Sequence, residues 1–254
     1  MDGMIRVLRS YLSTMLGCRK TRHFSGKVDP QWDLVQSRIA KSRRLIDLGC
    51  GGSPHPRALV GVDAYLAPVE RHSGRGPVLD SAMFRSRGVK FVNASLESLP
   101  FKDKQFDFAY SHHAFEHLAD PKKACAEMCR IAQAGAIITP SIFGEIAFGR
   151  IYHRWLVIAR NNLLIFIRKM PREDRPFGEE PVSLADGTYR ATDRTNPFEI
   201  LLNWNGWYRG KESMPRLGRL LQEYWYSHSP VTEVVFLWET SFKCLVIDEN
   251  GNVE

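Results

Sequence analysis

The sequence predicts an α/β fold built on a mostly parallel sheet. Three observations carry this reading: short apolar runs alternate with helical or polar stretches, the first run ends in a glycine-rich turn, and the second ends in an acid. Strands are expected at Arg44 to Leu48, Leu59 to Val62, Lys90 to Val92, Phe106 to Tyr110 and Ala136 to Thr139. Between the last two, Pro121 to Gln133 has helical spacing, with Asp120 placed to cap it and Pro121 in its first turn. Strands that alternate with helices imply a sheet covered on both faces.

Beyond the fifth run the pattern changes. Tyr152 to Ala159 and Leu163 to Arg168, joined by Arg160-Asn161-Asn162, predict an inserted β-hairpin. Residues 170 to 197 are rich in proline, glycine and charge and read as a long loop. Thr232 to Glu239 and Ser241 to Asp248 are linked so tightly that a terminal antiparallel hairpin is expected over 231–248. At the other end, Met4, Ile5, Leu8, Tyr11, Leu12, Met15 and Leu16 recur at three- and four-residue spacing, which predicts an amphipathic helix over 3 to 17.

Composition and charge narrow the class. Among 254 residues, 44% hydrophobic and 25% charged content excludes disordered, collagen-like and coiled-coil chains. The longest apolar stretch, Trp155 to Ile167, is broken by Arg160, Asn161 and Asn162, so no membrane-spanning helix is expected. Arg6 and Arg9 fall where a secretory signal would need an apolar core. The five cysteines, Cys18, Cys50, Cys125, Cys129 and Cys244, are odd in number and scattered, which suits reduced thiols and a cytoplasmic location. The net charge of +7 lies wholly in residues 1 to 44, which hold ten Lys/Arg against three Asp; the remainder holds twenty-five of each sign. A neutral body with a basic leader does not suggest nucleic acid as a partner. The leader helix, flanked by Arg6, Arg9, Arg19, Lys20 and Arg22, suits either packing on the domain or peripheral contact of residues 3–22 with the inner face of a membrane.

The chemistry is concentrated between Leu45 and His117. Leu45-Ile46-Asp47-Leu48-Gly49-Cys50-Gly51-Gly52 is an apolar strand running into a turn where the backbone can bend sharply and approach a ligand. Leu59-Val60-Gly61-Val62-Asp63 is a second strand whose terminal carboxylate can accept hydrogen bonds from both hydroxyls of a ribose. A dinucleotide site would want a third glycine where Pro54 stands, and Pro54 with Pro56 leaves little helix to hold a pyrophosphate. A nicotinamide-dependent oxidoreductase is therefore the disfavoured alternative.

Two further blocks complete the pattern. Leu99-Pro100-Phe101-Lys102-Asp103-Lys104-Gln105-Phe106-Asp107 and Ser111-His112-His113-Ala114-Phe115-Glu116-His117-Leu118-Ala119-Asp120-Pro121 follow in order. With the glycine turn and Asp63 they resemble the class I S-adenosylmethionine-dependent methyltransferases, and within them the type 11, small-molecule group. The resemblance implies a Rossmann-like fold with a seven-stranded, mostly parallel sheet whose last strand is antiparallel. It also implies a division into an N-terminal extension (1–40) and a methyltransferase domain (41–254), with a cofactor-binding half (41–140) and an acceptor side (141–230). S-adenosyl-L-methionine would be the cofactor. By the same resemblance, Asp47, Gly49, Cys50 and Gly51 would cradle its methionine end and Asp63 its ribose. Ser95 and Leu96 would flank the adenine, with Ser95 standing where relatives usually place an acid, so the bond to the adenine amino group would come from the backbone or from Glu97. Ser111, His112 and His117 would line the wall near the sulfonium.

If the acceptor must lose a proton, the candidate bases are His112, His113 and His117, with Glu116 and His153 behind them, and His112 or His113 is the expected one. The segment between Gly52 and Asp63 is short, so its crossover helix is expected to shrink to one or two turns capped by Ser53. Trp204, Trp207, Tyr208, Tyr224, Trp225 and Tyr226 could stack on an acceptor. Cys125 and Cys129, one helical turn apart, lack a nearby His/Cys pair, and no metal site is expected. The acceptor is expected to be a small molecule or, because the short crossover followed by His153-Arg154-Trp155 and a hairpin resembles methyltransferases encoded among polysaccharide-biosynthesis enzymes, an intermediate of polysaccharide synthesis, methylated on oxygen or nitrogen. A non-catalytic cofactor-binding accessory protein is the alternative from another class. The sequence leaves the oligomeric state open.

Overall fold

The computed structural model describes residues 30–67, 78–148, 153–169, 229–248 and 250–253. The expected helix at 3–17, the loop at 170–197 and the aromatic group at 204–226 lie outside these residues.

Helix α1 (Pro30–Lys41) leads into β1 (Leu45–Leu48), β2 (Val60–Asp63), the short α2 (Ser81–Arg85), β3 (Lys90–Asn93) and β4 (Phe106–His112). A 3₁₀ turn at Phe115–His117, helix α3 (Pro121–Ile131), β5 (Ala132–Pro140) and α4 (Ile142–Phe148) follow. Then come β6 (Trp155–Arg160), β7 (Leu163–Arg168), a single turn α5 (Ser229–Thr232), β8 (Glu233–Glu239) and β9 (Lys243–Ile247).

The main sheet has the order β3-β2-β1-β4-β5-β8. All its pairs are parallel except β5 with β8. Order reverses at β1, which pairs with β2 on one side and β4 on the other, so a crevice opens beyond the carboxyl ends of these strands. Period-two alternation sends neighbouring residues to opposite faces. Leu45, Phe108, Tyr110, Ala136 and Ile138 pack with Trp32, Val35 and Ile39 of α1 and Phe84 of α2. Ile46, Leu48 and Ile137 pack with Ala124, Met128 and Ile131 of α3. Helix α1 crosses the boundary drawn at residue 40 and belongs to the body of the domain, since Val35 and Ile39 are buried in its core.

Local chemistry explains α3. Asp120 caps it by accepting from the Lys123 amide at 3.0 Å, and Pro121 occupies the first turn, where its missing N–H costs nothing. The block at 99–107 is strapped to the same helix. Arg130 donates to the carbonyls of Phe101 (2.6 Å) and Leu99 (2.9 Å), while Glu127 accepts from the Leu99 amide (2.7 Å).

Two expectations are corrected. No helix forms between β1 and β2; residues 50–59 make successive turns, closed by Ser53 donating to Cys50 and Ala58 to His55. Two prolines within four residues leave too few amides for a helical turn. The segment over 231–248 is not a hairpin; among the described residues the main sheet holds six strands. β8 joins β5, whereas β9 leaves it and pairs parallel with β7 of the β6–β7 hairpin in a second, three-stranded sheet. Both β5 and β7 would otherwise present an unpaired edge, so the divergence satisfies two ladders where a hairpin would satisfy one. Thr240, at φ +67°, makes the corner, and Phe242 packs at 5.0 Å from the Phe236 ring. No helix among the described residues is long and apolar enough to cross a membrane.

Candidate active site

The glycine turn and the acid at the end of β2 are joined directly. Gly49 (φ +71°) and Gly51 (φ +50°) both take the left-handed conformation that favours glycine. The amides of Gly49 and Cys50 donate to the Val62 carbonyl at 2.8 and 3.1 Å. The Gly51 amide donates to Oδ2 of Asp63 at 2.9 Å, and Tyr65 donates to its Oδ1 at 2.9 Å. Each carboxylate oxygen can still accept a second hydrogen bond, as a ribose diol requires. Asn93 steadies the chain here, donating to the carbonyls of Asp63 and Ala64, both at 2.9 Å.

A Cβ at Gly49 would stand 2.3 Å from the Ala114 Cβ, so the turn passes hard against the segment after β4. A Cβ at Gly51 would meet nothing within 4 Å, which leaves the space beside the turn open to a ligand. Asp47 is buried beneath the turn, and its Oδ2 accepts from the His55 amide at 2.6 Å. Burial raises its carboxyl, the His55 bond offsets part of the rise and the charge of Asp63 adds to it, giving a pKa of about 7.

The remaining expected residues fall into three situations. Leu96 is buried beside Gly49, and Ser95 is exposed, accepting from the Glu97 amide at 3.2 Å. Glu97, the suggested substitute acid, accepts from the Asp120 amide at 2.9 Å and so serves the start of α3. Cys50 packs against the core that α1 covers. Ser111 is wholly buried, and its hydroxyl donates to the Leu48 carbonyl at 2.8 Å, fastening the end of β4 to the end of β1.

The histidines gather with carboxylates from distant segments. His112 lies between Trp32 (rings 5.6 Å apart), Tyr110 (6.2 Å) and His113 (4.3 Å), with its Nε2 3.7 Å from Oε1 of Glu233. His113, at φ +53°, is clasped on both sides: Nδ1 is 3.1 Å from Glu116 and Nε2 is 2.9 Å from Glu233. Burial alone would favour the neutral ring. The hydrogen bonds and charges of the two carboxylates outweigh it, raising the His113 pKa to about 9. Both ring nitrogens of His113, one of the expected bases, are already engaged by carboxylates.

Beyond His113 the cluster continues. Glu116 is fully buried; burial raises its carboxyl, but the bond from His113 and the facing charges of His117, His113 and His153 hold it at about 2. His117 has its Nε2 3.9 Å from Glu116 and its ring 4.7 Å from that of His153. His153 is hydrogen-bonded through Nδ1 to Oε1 of Glu145, and Lys169 reaches Oε2 of Glu145 at 2.7 Å. Burial raises the Glu145 carboxyl, and the charges of His153 and Lys169 more than reverse it. Trp32, Glu145, Lys169 and Glu233 were not legible as site residues, since nothing in their local sequence marks them.

Residues 46–139 match the family described as the methyltransferase domain. Over that segment the chain is similar to S-adenosylmethionine-dependent methyltransferases. The chain shares 33% identity over 104 residues with a probable tocopherol O-methyltransferase of Oryza sativa subsp. japonica, covering 39% of this chain and 28% of that one. It shares 32% over 98 residues with the uncharacterized methyltransferase YcgJ of Bacillus subtilis, covering 35% and 36% respectively. A solved methyltransferase of Thermotoga maritima, described as a possible histamine N-methyltransferase, is 26% identical over 48% of this chain and 55% of its own, with a TM-score of 0.35. The chain thus spans about a third of the length of these two curated relatives.

Proposed function

We propose that the protein transfers a methyl group from S-adenosylmethionine to an oxygen or nitrogen of a small molecule, a glycan-synthesis intermediate being one candidate. The observation that carries this reading is the Gly51 amide bonded to Asp63 across the ends of β1 and β2, beside the open space at Gly51. That geometry suits a nucleoside with a free ribose diol and makes no use of a helix N-terminus for phosphate.

Asp63 would take the ribose hydroxyls, Leu96 the adenine face, and the turn with Asp47 beneath it the methionine end, whose ammonium suits a buried carboxylate. When bound, the cofactor supplies a methyl already activated on a sulfonium. The chain's own task is then to align an acceptor lone pair at about 3 Å, where positioning contributes several kcal/mol. His112, partly open and backed by Glu233, is the base for an acceptor that must lose a proton.

A thermal-shift comparison of S-adenosylhomocysteine with NAD tests the assignment. The former at about 100 times its Kd should stabilise the protein by roughly 2.7 kcal/mol, NAD should not, and Asp63→Ala should abolish the effect. Stabilisation by NAD alone, or unchanged binding of S-adenosylhomocysteine by the variant, would refute it.

A further inference from the structure

Three side chains of the histidine cluster meet in a way the methyl-transfer reading leaves unused. One ligand-capable atom each from Glu116, His117 and His153 lies within 4.8 Å of the others. Glu116 supplies the second observation. Its Oε1 is bonded to His113, but Oε2 has no partner although the side chain is completely buried. A buried carboxylate oxygen without a partner is costly, and the other oxygen of the same carboxylate, Oε1, lies 3.9 Å from Nε2 of His117.

We infer that Glu116, His117 and His153 form a site for a divalent first-row transition cation. Two imidazoles and one carboxylate are a donor set such ions favour, at ligand distances of about 2.0–2.2 Å. The surroundings are arranged as outer supports of an ion site. The Glu145 carboxylate accepts from Nδ1 of His153, the kind of bond that orients a ligating imidazole. Lys169 in turn holds Glu145. The backbone carrying the ligands is fixed as well: the Arg154 amide donates to the Glu116 carbonyl at 2.8 Å, and the Trp155 indole donates to the Leu118 carbonyl at 2.7 Å. The other constellation among the described residues, His112, His113 and Glu233, is a weaker candidate because both nitrogens of His113 are already engaged by carboxylates.

The site adjoins the cofactor crevice, since Ala114, against which the Gly49 turn packs, stands two residues before Glu116. Its use rests on the methyl-transfer reading: three protein ligands leave positions for an acceptor hydroxyl, whose proton the ion makes easier to lose. The hydroxyl proton then passes to His112 or water. The oxygen lone pair forms the new bond to the methyl carbon while the S–CH₃ electron pair returns to sulfur. The existence of the ion site does not depend on that reaction.

Chelator-treated protein comprising residues 1–254, titrated with Co²⁺, tests the site. One equivalent should give ligand-field absorption that one equivalent of Zn²⁺ removes. Glu116→Gln and His153→Gln should abolish saturable binding, and Glu145→Gln should weaken it by about 10- to 100-fold. Circular dichroism checks folding; should Glu116→Gln fail to fold, His117→Gln, which removes a partly exposed ring, carries the same expectation. Absence of saturable binding, unchanged spectra in the ligand variants, or thiolate-to-cobalt charge transfer indicating Cys125, Cys129 and Cys244 would each overturn the inference. Stabilisation by S-adenosylhomocysteine in the same samples reads the methyl-transfer assignment separately, so the failure of either is recognised without the other.

Discussion

Asp47 offers a quantitative test of how the glycine turn is built. Its carboxyl is 3% exposed and lies near Asp63, which moves its pKa from 3.8 to about 7. A carboxyl whose folded pKa exceeds its unfolded value binds the proton more tightly in the folded state, so stability falls as pH rises between the two values and is level above the higher. A rise of about three units at ~1.4 kcal/mol each amounts to roughly 4 kcal/mol at full effect. Asp47→Asn keeps an oxygen for the His55 amide and removes the titration. Urea unfolding of both forms at pH 5, 6, 7 and 8 should show the variant gaining on the native protein by up to ~1.4 kcal/mol per unit up to pH 7, then levelling. Two parallel profiles across this range would refute the reasoning. The same group should link cofactor binding to pH. An ammonium placed beside it draws off its proton, so S-adenosylhomocysteine should bind the native protein more tightly as pH rises through 7. The Asp47→Asn form should lack that dependence in calorimetric titrations.

Other outcomes follow from single contacts. Gly49→Ala places a methyl 2.3 Å from Ala114 in a left-handed backbone and should cost at least about 1–2 kcal/mol in urea unfolding, with loss of the stabilisation by S-adenosylhomocysteine. His112→Gln should leave S-adenosylhomocysteine binding intact and, for an acceptor that must be deprotonated, lower kcat by about 10²- to 10⁴-fold; an unchanged rate would remove it as the base. Arg130→Ala frees the carbonyls of Leu99 and Phe101 and should lower unfolding stability by roughly 2 kcal/mol. Asp107→Ala breaks a carboxylate that accepts from the Arg43 and Arg44 amides and the Arg44 guanidinium. Burial works against that carboxylate's low pKa but the Arg44 bonds prevail, so its contribution is present above pH 4. The stability difference from the variant should therefore shrink as the solution is acidified below that value.

The features legible in the sequence are those fixed by residues close together along the chain. The β1 strand and its glycine turn, the acid closing β2, the Asp120 cap with Pro121, and the β6–β7 hairpin with Asn161 at φ +54° each arise within a dozen residues. Backbone stereochemistry and capping act at that range, so a pattern of residue types is enough to specify them.

Tertiary structure decided the rest. Whether β9 would fold back on β8 depended on two open sheet edges, at β5 and β7, that a local reading cannot weigh. The state of His113 depended on Glu233, 120 positions away, because a pKa is set by the charges that packing brings within a few ångströms. Glu116, His117 and His153 became neighbours only when the Arg154 amide met the Glu116 carbonyl and the second sheet closed over α3. The sequence by itself determined the crevice beyond the ends of β1 and β2, through short-range geometry. The chemistry beside it was determined by long-range contacts, whose energies exist only once the sheets have formed.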